Sequence, residues 1–66
     1  MECDVWFARY EDSLWAVTTR PGQAPTHEPH EVLSAAGTLR RIRERGHTIT
    51  QVGICDPEMI GLDVEL

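Results

Sequence analysis

Residues 29–46 read PHEVLSAAGTLRRIRERG, and the fold of this 66-residue chain turns on how much of that stretch is helix. Val32, Ala35, Ala36, Leu39 and Ile42 recur at helical spacing, while Arg40, Arg41 and Glu44 fall elsewhere on the wheel. The spacing predicts one helix from about Pro29 to Arg45, with Thr26 or Glu28 as its N-cap. Pro29 is tolerated in a first turn, and Gly46 suits the residue after the helix end. About 16 residues at 1.5 Å each make a rod of roughly 24 Å.

On the N-terminal side, residues 3–19, CDVWFARYEDSLWAVTT, are aromatic and β-branched around the polar triplet Glu11, Asp12, Ser13. They predict a hairpin with strands near 3–10 and 14–19. A one-residue difference in the loop sets whether Trp15 and Val17 share a face with Trp6, Ala8 and Tyr10 or with Val5 and Phe7. RPGQAPTHEPH, residues 20–30, holds three of the four prolines and forms a connecting loop. After Gly46, HTITQVGIC reads as a strand, DPE (56–58) as a turn, and the alternating IGLDVEL (60–66) as a last strand. The expected fold is α+β with order ββαββ: a four-stranded antiparallel sheet with one helix packed on one face, residues 1–66 making a single small domain. One helix leaves the hairpin's other apolar face open, either as a homodimer seam or docking patch, or covered by the last strand and the 20–30 loop.

Composition narrows the function. Eleven Asp and Glu against six basic residues, all of them arginine, give a formal charge of -5. The absence of lysine excludes Schiff-base chemistry, a P-loop and any lysine-dependent nuclease centre. The acidic balance disfavours nonspecific contact with nucleic acid or anionic membrane and favours a basic protein partner. A chain this short buries only about 60% of its unfolded surface, which leaves little material to wall a deep active site. A non-enzymatic surface binder is the expectation. No apolar run approaches 18 residues and the first ten lack a signal-peptide pattern, so a cytoplasmic location is expected, with Cys3 and Cys55 free and buried rather than bridged.

The residue types that carry chemistry do not assemble into motifs. HEPHE (27–31) spaces His27 and His30 at i, i+3 across a proline, where the zinc helix motif needs i, i+4. No metal or cofactor is expected. Asp56 and Glu58 flank a proline and read as turn chemistry rather than an acid–base pair. Cys55 lies eight residues from His47 along one strand, out of reach for a thiol–imidazole pair. Trp6 and Trp15 are candidates for both core and binding anchors.

In the ββαββ topology the helix ends beside the Glu11–Asp12 turn. Arg40, Arg41, Arg43 and Arg45 are then explained by the helix dipole, by an Arg40–Glu44 pair and by those acids. The opposite end collects Glu28, Glu31, Asp56 and Glu58, opposed mainly by Arg20. In size, acidity, α+β pattern and lack of an enzyme motif the chain resembles the small phage-encoded inhibitors, including anti-CRISPR proteins and DNA mimics. That resemblance implies a protein that covers the basic, nucleic-acid-binding surface of a larger partner, its carboxylates standing in for phosphates. Glu28, Glu31, Asp56 and Glu58 would carry it, with Asp63 and Glu65 on the last strand's outer face. The order of hairpin, Pro21–Gly22 and alanine-bearing helix also resembles HicB-type antitoxins. That likeness implies a small regulator using Arg40, Arg41, Arg43 and Arg45 together with a dimer face.

Overall fold

Tyr10 and Ser13 face each other across a two-residue turn, and this settles the register of the whole hairpin. The computed structural model describes residues 1–25 and 28–62. Strand β1 (Glu2–Tyr10) pairs antiparallel with β2 (Ser13–Thr19), Trp6 opposite Val17 and Ala8 opposite Trp15. Trp6, Ala8, Tyr10, Trp15 and Val17 therefore share one face, and Val5, Phe7, Leu14 and Ala16 the other. Glu11 and Asp12 take φ of 51° and 63°. Two central residues at positive φ make a type I′ turn, whose twist matches that of the strands it joins.

The stretch 29–46 departs from the single long helix. His30–Val32 is a third strand, β3, antiparallel to β2 with Leu14 opposite Val32 and Ala16 opposite His30. The helix, α1, spans only Ala35–Glu44, about 15 Å. Its N-cap is Ser34, whose Oγ accepts the Gly37 N–H at 3.0 Å, rather than Thr26 or Glu28. Pro29 disfavours the helical conformation in the residue before it, and β-branched Val32 gains more from a sheet edge than from a helix. The C-terminal end is as expected: Gly46 at φ 89° follows the helix, Gly46 N–H donates to Arg43 O and His47 N–H to Ile42 O. That is a Schellman motif, and glycine is the residue that enters it without a Cβ penalty.

The extra strand reverses everything after it. Because β3 runs back toward the Glu11–Asp12 turn, α1 starts at that end and descends to the end where β1 begins. The next strand, β4 (Thr48–Ile54), must then climb parallel to β1, Glu2 opposite Thr48 and Phe7 opposite Ile54. The sheet order is β3-β2-β1-β4. The α+β class, one helix and four strands stand, but the sheet is mixed rather than wholly antiparallel, and its fourth member is β3, not residues 60–66. Pro57–Ile60 form a 3-10 helix that Gly61 ends at φ 82°. The remainder of the expected last strand, Asp63 to Leu66, lies outside the described residues.

Both faces of the sheet are covered at their centres. On one, Leu39 and Ile42 of α1 pack with Val5, Phe7 and Ala16. On the other, Ile60 of the 3-10 helix is fully buried against Ala8 and Val17, with Trp6, Trp15 and Leu62 around it. Burying one such side chain stabilises by about 1.5–3 kcal/mol. The second hairpin face is thus closed by the C-terminal segment and does not form an open seam.

Two details tie β4 and the 20–30 loop to β1. Thr50 is the extra residue of a bulge opposite Cys3 and Asp4. Its Oγ1 lies 2.6 Å from Asp4 Oδ1 and 3.0 Å from Cys3 O, while the Gly22 N–H donates to Asp4 Oδ2 at 2.9 Å. Asp4, only 3% exposed, so holds the Arg20–Gln23 turn and the β4 bulge together. Further along, the Trp6 indole lies over Gly53.

An acidic end and a basic groove

Reversal of the helix rearranges the charges. The C-terminal turn of α1 lies at the end of the sheet that holds Glu2 and Arg20, so Arg40, Arg41, Arg43 and Arg45 are far from Glu11–Asp12. The expected shielding of the arginines by that turn does not occur. No ion pair joins any of the four to a carboxylate among the described residues, and the expected Arg40–Glu44 pair is not formed. All four are exposed.

Asp56 and Glu58 move the other way. They follow β4, whose end lies level with Phe7, and so sit at the same end as Glu11 and Asp12. All four acids are exposed, with Arg9 the one exposed arginine at that end. Glu28 does not join them as the sequence suggested. Glu28 is exposed in the loop before β3. Glu31 is exposed within β3, opposite Trp15, and three strand spacings, roughly 14 Å, separate it from the row of β4. Asp63 and Glu65 lie outside the described residues.

The acidic end also carries apolar surface. Between the N-terminus of α1 and the upper part of the sheet lies an open groove of about 840 Å³, floored by Phe7, Leu14 and Val32 and flanked by Leu33, Val52 and Ile54. Leu33 is fully exposed and Ile54 is 86% exposed. Asp12 and Glu31 also line it. Large exposed apolar side chains grouped beside charged ones are the usual composition of a protein-binding surface. The sequence hid this site because Leu33 belonged to the expected helix and Glu11–Asp12 to the expected arginine end.

At the opposite end a second groove, about 990 Å³, opens between α1 and strands β2 and β3. Arg20, Arg40, Arg41 and Arg45 line it against Glu2, Glu31 and Glu44, with His30, His47 and Thr18 between them. Four guanidinium groups against three carboxylates make it locally positive in a molecule of charge -5.

The remaining chemistry-bearing groups are dispersed. Cys3 and Cys55 are free and half-buried. They lie on opposite faces of the sheet and several residues apart along β1, beyond the 4.4–6.8 Å Cα separation a disulfide usually spans. Burial raises the Cys55 thiol above its ordinary pKa, with the Asp56 carboxylate adding to the effect, so it is a poor nucleophile. The Thr50 hydroxyl and then the Gly22 N–H hold Asp4 below the usual carboxylate range against residual desolvation, which fits a structural acid. Among the described residues no three His, Cys, Asp or Glu side chains converge on a point that would hold a metal ion. Nor is any of their helices long and apolar enough to cross a membrane. The Trp6 and Trp15 indole N–H groups are buried without an acceptor among the described residues. Comparison with protein families, curated proteins and solved structures finds no match.

Proposed function

We propose that the chain is a non-enzymatic binding protein whose acidic, apolar end docks on a basic protein surface of the kind that otherwise holds nucleic acid. The observation that carries this reading is the apolar groove of Leu33, Val52 and Ile54 with Asp12 and Glu31 in its lining, and Glu11, Asp56 and Glu58 exposed at the same end of the sheet. Carboxylates steer the approach to a basic partner and the apolar side chains supply contact area. This keeps the inhibitor mode inferred from the sequence but moves the contact: Glu11 and Asp12 join Glu31, Asp56 and Glu58, and Glu28 drops out.

Capture experiments with the immobilised chain in nuclease-treated host lysate test it. The expected partner has a basic nucleic-acid-binding surface, binds less well at high salt, and is lost with Glu11→Arg/Asp12→Arg. Capture that ignores both salt and these reversals would exclude the acidic end.

A second reading, a HicB-like regulator, is favoured by the lack of ion pairs on Arg40, Arg41, Arg43 and Arg45 among the described residues. In it the basic groove contacts DNA phosphates. Gel-shift binding to DNA from upstream of the chain's own gene, lost with Arg40→Ala/Arg41→Ala, selects this reading over the first.

A further inference from the structure

We infer that a second copy of the chain pairs with the outer edge of β4, antiparallel and about a two-fold axis at Val52. Strand β4 is an edge of the sheet, and no described residue pairs with its outer side. Its sequence, TITQVGI, contains no charged residue and no proline. Edge strands that must stay single are normally blunted by lysine, proline, inward charge, extreme shortness or a bulge; β4 is seven residues long and carries only the last, at Thr50. The bulge at Thr50 bends its first part, which leaves Gln51–Ile54 as the straight segment.

The occupant is argued from charge. Two copies of charge -5 repel, so they meet best where neither presents a carboxylate. The β4 edge is such a surface. Antiparallel pairing also sets the acidic end of one copy beside the basic end of the other. With Val52 opposite the partner's Val52, Ile54 faces the partner's Thr50 and Asp56 falls opposite the partner's Thr48, close to the partner's Arg45. Parallel pairing would set like against like.

The faces agree as well. Paired residues in one continuous sheet point to the same side, so an axis through Val52 keeps both helices on one face. Val52, 47% exposed, and Ile54 then cover apolar surface that the monomer leaves in water. Two copies form an eight-stranded sheet from two sets of four. In the dimer Ile54 and Asp56 pass from the docking end into the seam, while Glu11, Asp12, Glu31 and Leu33 stay open for docking. A short strand edge buries less than the roughly 800 Å² per partner of a standard interface, so assembly should depend on concentration in the micromolar range.

Sedimentation equilibrium over a micromolar concentration series is the first test. The expected result is a monomer–dimer equilibrium that Val52→Lys shifts to monomer at every concentration, with an unchanged far-UV spectrum showing that the variant is folded. The second is Val52→Cys in a Cys3→Ser/Cys55→Ser background. Paired residues lie about 4.5–5.5 Å apart at Cα, within disulfide range, so mild oxidation should give a covalent dimer, whereas Thr18→Cys in the same background should not. A monomer throughout the series, a dimer that survives Val52→Lys, or no preferential cross-link at position 52 overturns the proposal. None of these outcomes depends on the docking function, which Glu11 and Asp12 test separately.

Discussion

Replacing Gly53 by alanine should destabilise the protein, although alanine is ordinarily the better strand residue. Glycine in a strand interior costs about 0.5–1 kcal/mol relative to alanine, so propensity alone predicts a gain. A Cβ at Gly53, however, would lie 2.5 Å from Trp6 Cζ3 and 2.8 Å from its Cε3. Relief requires the indole to retreat by about 1 Å, and it is packed in the cluster that Ile60, Ala8 and Val17 form. Overpacking of this kind costs about 1–3 kcal/mol, and an off-rotamer side chain about 0.5–1.5 kcal/mol. The net expectation is a loss of about 1–2 kcal/mol. In a domain of this size that lowers Tm by about 4–16 °C. Urea unfolding followed by tryptophan fluorescence measures it. In a Trp6→Leu background the same Gly53→Ala change should be neutral or favourable, giving a coupling of about 2 kcal/mol. A single variant as stable as the parent, or a cycle without coupling, would refute the close approach of Trp6 to β4.

Three further outcomes follow from local geometry. Holding L-residues in the left-handed region costs about 1–2 kcal/mol each, less for aspartate, so Glu11→Asn/Asp12→Gly should stabilise by about 1 kcal/mol. Thermal unfolding checks this, and an unchanged Tm would argue against the I′ turn. Asp4 has a folded pKa below its unfolded one, so its carboxylate contributes stability above the ordinary carboxylate range, and this is lost as pH falls through the folded value. Thr50→Val removes the largest cause of the shift and should move the acid-unfolding midpoint, read by circular dichroism, to higher pH; coincident acid limbs would exclude this role. In Cys3→Ser protein, Cys55 should alkylate with iodoacetamide at neutral pH more slowly than an ordinary thiol, and faster once Asp56→Asn removes the neighbouring charge. A rate matching that of a small-molecule thiol would contradict its burial.

The acids at the Glu11–Asp12 turn bear on function as well as stability. Asn-Gly would serve a I′ turn better, yet the chain places two carboxylates in left-handed backbone at the tip of its hairpin. Their cost to the fold, and the place of Asp12 in the groove with Leu33 and Ile54, agree with the docking role proposed for that end.

What the sequence determined by itself is what depends on near neighbours in the chain. The hairpin followed from aromatic and β-branched runs about a polar triplet, the break after β2 from the prolines of the connecting loop, and the helix end from Gly46. The strand at 48–54 followed from its β-branched residues. Three residues, His30–Val32, depart from the expected helix and loop because Val32 continues the helix's apolar spacing, and only the free edge of β2, distant in sequence, gives them a better partner. That choice belongs to tertiary structure, since an isolated three-residue segment has no strand to pair with. Its consequence is global: one more crossing of the sheet reverses α1, makes β4 parallel to β1 and exchanges the neighbours of every charge that follows. The arginine cluster and the carboxylates were legible as residues. Which of them share an end was set by the direction of one helix, and direction is a property of the packed sheet rather than of any local pattern.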